Sequence, residues 1–185
     1  MSLFKKILTT YKVNFVISST LAGVLILLSP QKDVLSILGI VFGVFVGTFI
    51  LDAEFFTYSY VTNPTEEFSQ GLRALMGQKN YAGALAYIRT NRQNVDGSMT
   101  RSVVFQIVLF MLSLYVIMTL ENSFSLAFVL SAFIESVYQM FEDFSQKGSA
   151  ASWFWLFKEC PSKKAQNIYL YALCGSIVFI LALLS

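Results

Sequence analysis

Four acidic residues in this chain sit where acids are costly. Asp52 and Glu54 close an apolar run, in Leu51-Asp52-Ala53-Glu54-Phe55-Phe56, and Glu135 and Glu142 lie in a later one. An ionised carboxylate in hydrocarbon costs on the order of a few kcal/mol, so each must face protein groups, line a wet cavity or carry a proton. Three chemistries follow. Asp52, Glu54 and Glu135 are the candidate catalytic groups of a cation-dependent hydrolase. Glu54, Glu135, Glu142 and Asp52 are the candidate metal ligands. Glu135 alone could serve a transporter as its proton or cation site. An all-oxygen ligand set would select Mg, Mn or Ca over Zn. Residues two apart on a helix point about 200° apart, so Asp52 and Glu54 cannot share one ion on one face. Glu54, seven residues after Gly47, and Glu135 are the better pair.

Around Glu135, Ser131, Gln139 and Glu142 fall at i−4, i+4 and i+7 and make one polar stripe, with Asp143 after it. Helical rise places Gln106 level with Glu135 and Arg101 just below it. A structural alternative to function is therefore open: Glu135 hydrogen-bonded to a Ser, Gln or Tyr, or paired with Arg101.

The chain contains no histidine, which removes His-based acid–base chemistry, Ser-His-Asp and Cys-His nucleophile pairs and most zinc sites. Cys160 and Cys174 complete no metal or redox motif. A net charge of +2 is too small for a nucleic-acid binder. No cofactor is expected beyond the divalent cations named above.

The elements that must hold these acids belong to a membrane. Apolar residues make up 56% of the 185 and charged residues 13%, against about 25% charge in soluble domains. A bilayer core needs about 17–25 mostly apolar helical residues, and five stretches read as spans, the first of them short: about 13–28, 34–56, 102–120, 124–141 and 168–184. The expected fold is an all-α, polytopic membrane helix bundle forming a single domain over 1–185, with the lipid bilayer as its first partner. Basic residues set its orientation. Lys5, Lys6 and Lys12, then Arg73, Lys79, Arg89, Arg92 and Arg101, then Lys147, Lys158, Lys163 and Lys164 would share one side, leaving Lys32 alone on the other. That predicts the N-terminus in and the C-terminus out, with the first span an uncleaved anchor. Ser29-Pro30-Gln31-Lys32-Asp33 reads as a tight turn with Asp33 capping the second span, and Glu121-Asn122-Ser123 as the other short outer loop.

All sizeable soluble material is then cytoplasmic. Asn63-Pro64-Thr65-Glu66 reads as a cap, a first-turn proline and a capping-box glutamate. Phe68, Leu72 and Leu75 follow at helical spacing up to Gly77, and Tyr81, Leu85 and Ile88 mark a second helix with Arg89 and Arg92 near its end. The result is an amphipathic helical hairpin over about 64–92, whose apolar faces pack together, lie on the membrane or dock a cytoplasmic protein partner. Trp153 and Trp155, in an aromatic run before Lys158, Lys163 and Lys164, read as an interfacial anchor. Gly39, Gly43 and Gly47 form a small-xxx-small packing face that admits either a helix of the same chain or a second copy in a homo-oligomer.

Gly47-Thr48-Phe49-Ile50-Leu51-Asp52-Ala53-Glu54-Phe55 resembles the G-x-L-L-P-D-x-D-H element of small inner-membrane metal-dependent hydrolase-like proteins. That family also places a His and an Asp in a later span, near the positions of Glu135 to Gln139. The resemblance covers these nine residues and the general layout. Leu51 stands for the proline, Glu54 for the second aspartate and Phe55 for the histidine; Asp52 is kept by type and Glu54 by charge. The resemblance implies a histidine-free, non-catalytic relative in a bacterial-type inner (plasma) membrane. The sequence thus favours a membrane scaffold or accessory protein, with a carboxylate-based transporter or channel and a cation-dependent hydrolase of lipid or lipid-linked phosphate as alternatives.

Overall fold

The computed structural model of the chain describes residues 9–29, 32–95, 97–119 and 122–184, and these are helical with no strand among them. Lys5, Lys6, Pro30, Gln31, Leu120 and Glu121, which figure in the expectations above, lie outside the described residues.

Among the described residues seven α-helices follow in chain order. They are α1 (Lys12–Leu28), α2 (Val34–Thr57), α3 (Glu67–Gly77), α4 (Tyr81–Asn91), α5 (Val103–Thr119), α6 (Ser123–Lys147) and α7 (Lys163–Leu184). Local chemistry fixes their ends. Asp33 caps α2 by accepting from the Ser36 amide at 3.1 Å, and the Ser36 side chain and amide hold its carboxyl below the usual carboxylate range. Asn122 caps α6, accepting from the amides of Phe124 and Ser125 at 2.9 and 3.3 Å. Gly148, at φ 66°, takes the left-handed position that ends α6, and its amide donates to the Phe144 carbonyl. This stop comes two turns after the expected end near 141, so α6 carries Glu142 and Asp143 on continuous helix.

Among the described residues three segments are long and apolar enough to cross a membrane: Val34–Thr62, Ser123–Lys147 and Lys163–Leu184. The first is α2 continued by a π-helical turn, Tyr58–Thr62. α1 and α5 are apolar but shorter, at 17 residues each. Large apolar side chains point outward from each of the five, Leu27 from α1, Leu35 from α2, Met111 from α5, Phe141 from α6 and Val178 from α7, a surface that fits hydrocarbon better than water.

The core lies between α2 and α6, with α1, α5 and α7 packed around that pair; Leu25, Ile40, Val44, Leu130, Phe133 and Met140 form its buried centre. A Cβ on Gly43 would stand 2.5 Å from the Phe124 carbonyl oxygen, and one on Gly47 closer still to that of Phe128. Side-chain-free positions let the two backbones meet, so α6 of the same chain fills the Gly43–Gly47 face. At Gly39 the nearest atoms are at 3.5 Å, ordinary contact. A polar thread crosses the same level: Ser18 meets Thr48 at 2.6 Å, Thr48 meets Ser131 at 3.0 Å, and Ser131 donates to the Val44 carbonyl.

α3 and α4 form the hairpin, and its apolar faces pack on each other and on the end of α2. Phe55, Tyr58, Phe68, Leu72, Ala84, Ile88 and Val95 make a second buried cluster. Two local expectations differ. The 63–66 segment does not start a helix, because the π-helical turn uses it: the Asn63 amide donates to the Tyr58 carbonyl, and Glu66 accepts from the Tyr58 hydroxyl at 2.6 Å. α3 begins only at Glu67. On α4 the buried face is Ala82, Ala84 and Ile88, while Tyr81 is exposed, because the small alanines allow the close approach to α3.

Candidate functional site

The polar stripe of α6 meets polar residues from three other elements at one end of the bundle. Tyr11 immediately precedes α1, and Asn14 and Ser18 follow it at i+3 and i+7, a row that continues into the buried Leu21 and Leu25. α1 therefore presents one polar face to α2 and α6. The Tyr11 hydroxyl donates to Asp52 Oδ2 at 2.7 Å. Asn14 Nδ2 donates to Glu135 Oε1 at 2.6 Å, and Gln139 Nε2 donates to the same oxygen at 3.1 Å. Burial, reinforced by the neighbouring Asp52 carboxylate, pushes the Tyr11 phenol well above its ordinary range.

The cations come from the hairpin. Arg89, in the last turn of α4, reaches Glu142 at 2.8 Å and Tyr138 at 3.3 Å, stands 3.9 Å from Glu135, and lies over the rings of Tyr11 and Tyr138. Arg92 starts the 3-10 turn Arg92–Asn94 and is fully buried. It meets Glu142 at 2.5 Å and Asp52 at 3.8 Å. Burial disfavours both guanidinium charges, with opposite outcomes. At Arg89 the attraction of Glu142 and Glu135 outweighs burial and the affinity for the proton rises. At Arg92 burial and the adjacent Arg89 charge win, and it falls. The site thus holds three carboxyl groups around two arginines.

Two neighbouring clusters complete the layer. Arg101 pairs with Asp143 and donates to the Arg92 carbonyl, and the Trp153 indole donates to the same Asp143 oxygen at 2.8 Å. The Arg101 guanidinium stacks 5.6 Å from the Trp153 ring centroid. Glu54 is held by the loop before α5: it accepts from Ser98 Oγ at 2.7 Å, from the amides of Met99 and Thr100 at 2.6 and 3.1 Å, and from the Thr100 hydroxyl.

No known protein family, curated protein or solved structure matches this chain. Its site must be read from its own geometry.

That geometry redistributes the acids expected to act together. Asp52, Glu135 and Glu142 converge; Glu54 does not. Its partners, Ser98, Met99 and Thr100, are none of those that hold Glu135. Among the described residues no group of three or more His, Cys, Asp or Glu side chains is placed to hold a metal ion. Arg101 pairs with Asp143 and not with Glu135, because α6 runs on beyond the expected end and brings Asp143 to it. Gln106 turns to the Ser136 carbonyl and the Tyr169 hydroxyl. Trp153, expected at the membrane interface, is 1% exposed, drawn inside by Asp143 and Arg101. Trp155 remains at the surface, its indole donating to the Ser98 carbonyl.

Tyr11, Asn14, Arg89 and Arg92 were not among the site residues expected from sequence. Their signals were present. Tyr11, Asn14 and Ser18 recur at helical spacing at the start of a mostly apolar run, and Arg89 and Arg92 follow the apolar face of α4 closely enough to turn inward with it.

Proposed function

We propose that this chain is a non-catalytic integral membrane scaffold or accessory protein. In this reading it crosses a bacterial-type inner (plasma) membrane five times, with its N-terminus inside and C-terminus outside. Three helices of sufficient length support the membrane assignment. α1 and α5, at 17 residues each, would cover about 25 Å at 1.5 Å per residue and reach the lower bound for a span. The outward apolar side chains on all five and the one-sided distribution of Lys and Arg support the count and the orientation.

One observation carries the functional reading: every acid that could have served chemistry is engaged by the chain's own donors. Asp52 has Tyr11 and Arg92, Glu135 has Asn14, Gln139 and Arg89, Glu142 has both hairpin arginines, and Glu54 has the 98–100 loop. A metal-dependent hydrolase needs ligands free to converge on a cation with an open coordination position. Here the cations are arginines. They tie the hairpin to the bundle, leaving its outer face, including exposed Tyr81, as the surface for a cytoplasmic partner.

A second reading keeps one supporting observation. Glu135 is buried at the end of a donor chain through Asn14, and Asn14 borders an open cleft, an arrangement a proton-coupled transporter could use.

The discriminating experiment is the thermal stability of the detergent-purified chain with Mg, Mn, Ca or EDTA, alongside Glu135→Gln and Glu54→Gln variants and followed by lipid-phosphate hydrolysis and proteoliposome proton-flux assays. The scaffold reading predicts no cation-dependent shift, no hydrolysis and no flux. A rise in midpoint with a cation, abolished in both variants, would replace it with the hydrolase reading, since a ligand of the folded state stabilises that state. Flux lost in Glu135→Gln would replace it with the transporter.

A further inference from the structure

Between the start of α1, the end of α4 and the last turns of α6 lies a cleft of about 380 Å³, within the range of about 300–1,000 Å³ typical of small-molecule sites. Lys12, Asn14, Arg89, Thr90, Tyr138 and Glu142 border it. Lys12 is exposed, and no carboxylate among the described residues pairs with it. Glu142 presents little free negative charge to the cleft, because Arg89 and Arg92 both bind it. Two further atoms are left over. Arg89 Nη1 and Asn14 Oδ1 are buried and make no hydrogen bond among the described residues, and Asn14 as a whole is 1% exposed. Buried polar atoms of this kind are normally paired. The Tyr138 hydroxyl accepts from Arg89 Nη2, so its own proton remains available to donate.

The inventory is specific. On one side stand the unpaired cation Lys12, the Arg89 guanidinium, whose charge Glu142 and Glu135 share but whose Nη1 makes no hydrogen bond among the described residues, and a phenol O–H. On the other stands an acceptor, Asn14 Oδ1, which needs a donor. We infer that the cleft binds an anionic phosphate ester that also carries a hydroxyl group: phosphate oxygens face Lys12, Arg89 and Tyr138, and the hydroxyl donates to Asn14. The chemistry is that of a glycerol phosphate. It is supplied either by the headgroup of an inner-leaflet phosphatidylglycerol or by the free phosphate ester. The lipid source rests on the N-terminus-in topology proposed above, since that reading places Lys12 at inner headgroup level, where anionic lipid attracts lysine. The ligand chemistry does not depend on it.

The test is direct binding to the full-length, detergent-purified chain. The probes are short-chain phosphatidylglycerol, glycerol 3-phosphate and short-chain phosphatidylcholine, which has the phosphate but neither the hydroxyl nor the net charge. Variants are Lys12→Gln, Lys12→Arg and, as a charge control far from the cleft, Lys163→Gln. Lys12 is exposed and engages no partner among the described residues that its loss would orphan, so folding is preserved. The expected result is binding of phosphatidylglycerol that weakens about tenfold in Lys12→Gln, as loss of one charge-assisted contact implies. It recovers in Lys12→Arg and is unchanged in Lys163→Gln. The same pattern with glycerol 3-phosphate and not with the lipid assigns the free ester as the source. The inference is overturned if neither binds, if phosphatidylcholine binds equally, or if Lys163→Gln weakens binding as much as Lys12→Gln. Because the assay is made in detergent, these outcomes leave the topology and the scaffold reading untouched.

Discussion

Arg92 Nη2 lies 2.5 Å from Glu142 Oε2, joining the turn after α4 to the last turns of α6 across 50 residues of sequence. Arg92 is fully buried while Glu142 keeps a solvent-facing edge, so the pair is a latch set at the water boundary: a desolvated guanidinium closed over a carboxylate that Arg89 also holds. Removing one member of a buried pair strands the other, which costs about 3–5 kcal/mol. Arg92→Met is expected to destabilise by that amount, because Asp52 and Glu142 both lose a cation. Glu142→Gln is expected to cost less, since Arg92 retains Asp52. A double-mutant cycle by thermal unfolding checks both, and additive effects would contradict the latch.

The glycine row gives a sharper contrast. Gly47→Ala places a Cβ against the Phe128 carbonyl oxygen and the Ser131 Cβ, forcing α2 and α6 apart, and overpacking of this kind costs about 1–3 kcal/mol. Gly175→Ala meets nothing within 4 Å and gains up to about 1 kcal/mol of helix propensity. Unfolding midpoints should therefore fall for the first and hold or rise for the second. Gly39→Ala, with contacts at 3.5 Å, should lie near the parent.

Tyr11 makes the stability pH-dependent on the alkaline side. Burial and Asp52 raise its phenol above the ordinary value of about 10, so the folded chain keeps a proton that the unfolded chain releases. The unfolded state then binds fewer protons, and stability falls as pH rises. The contribution is whole below about pH 10 and is lost progressively above it. Tyr11→Phe should flatten this fall between about pH 10 and 11, measured as the difference in unfolding midpoint from the parent.

The two tryptophans should behave as opposites. Trp153→Phe removes the hydrogen bond to buried Asp143 and should cost about 1–3 kcal/mol, whereas Trp155→Phe, at a surface position, should be nearly neutral. In single-tryptophan variants, a water-soluble quencher should reach Trp155 and leave Trp153 emission unchanged.

What the sequence disclosed was governed by how local the physics is. The Asp33 cap and the apolar helical stretches depend on a few adjacent residues and lie close to where composition and spacing put them, whereas α3 starts later and α6 ends later than those local signals indicate. The stripe of α6 was legible for the same reason. Pairing was not. Glu135 finds Asn14 across 121 residues, and nothing local distinguishes Arg101 from Arg89 or Arg92 as a partner for a given acid. The hairpin arginines were further obscured because a basic residue beside a span is also the signature of the cytoplasmic side; the same side chain can set topology and close an ion pair. Trp153 misled for a related reason: an aromatic beside lysines suits a headgroup, and only the extension of α6 to Asp143 shows what draws the ring inside.

The central claim is that the α3–α4 hairpin is part of the bundle, locked there by Arg89 and Arg92 on the carboxyl groups of α2 and α6. Amide hydrogen exchange over 81–92 in the detergent-purified chain tests it most directly, because exchange reads the free energy of opening. The locked hairpin predicts slow exchange in α4, comparable to the C-terminal end of α6, and a marked acceleration confined to the hairpin in Arg92→Met. Rapid exchange of 81–92 in the parent, unaltered by that substitution, would contradict it.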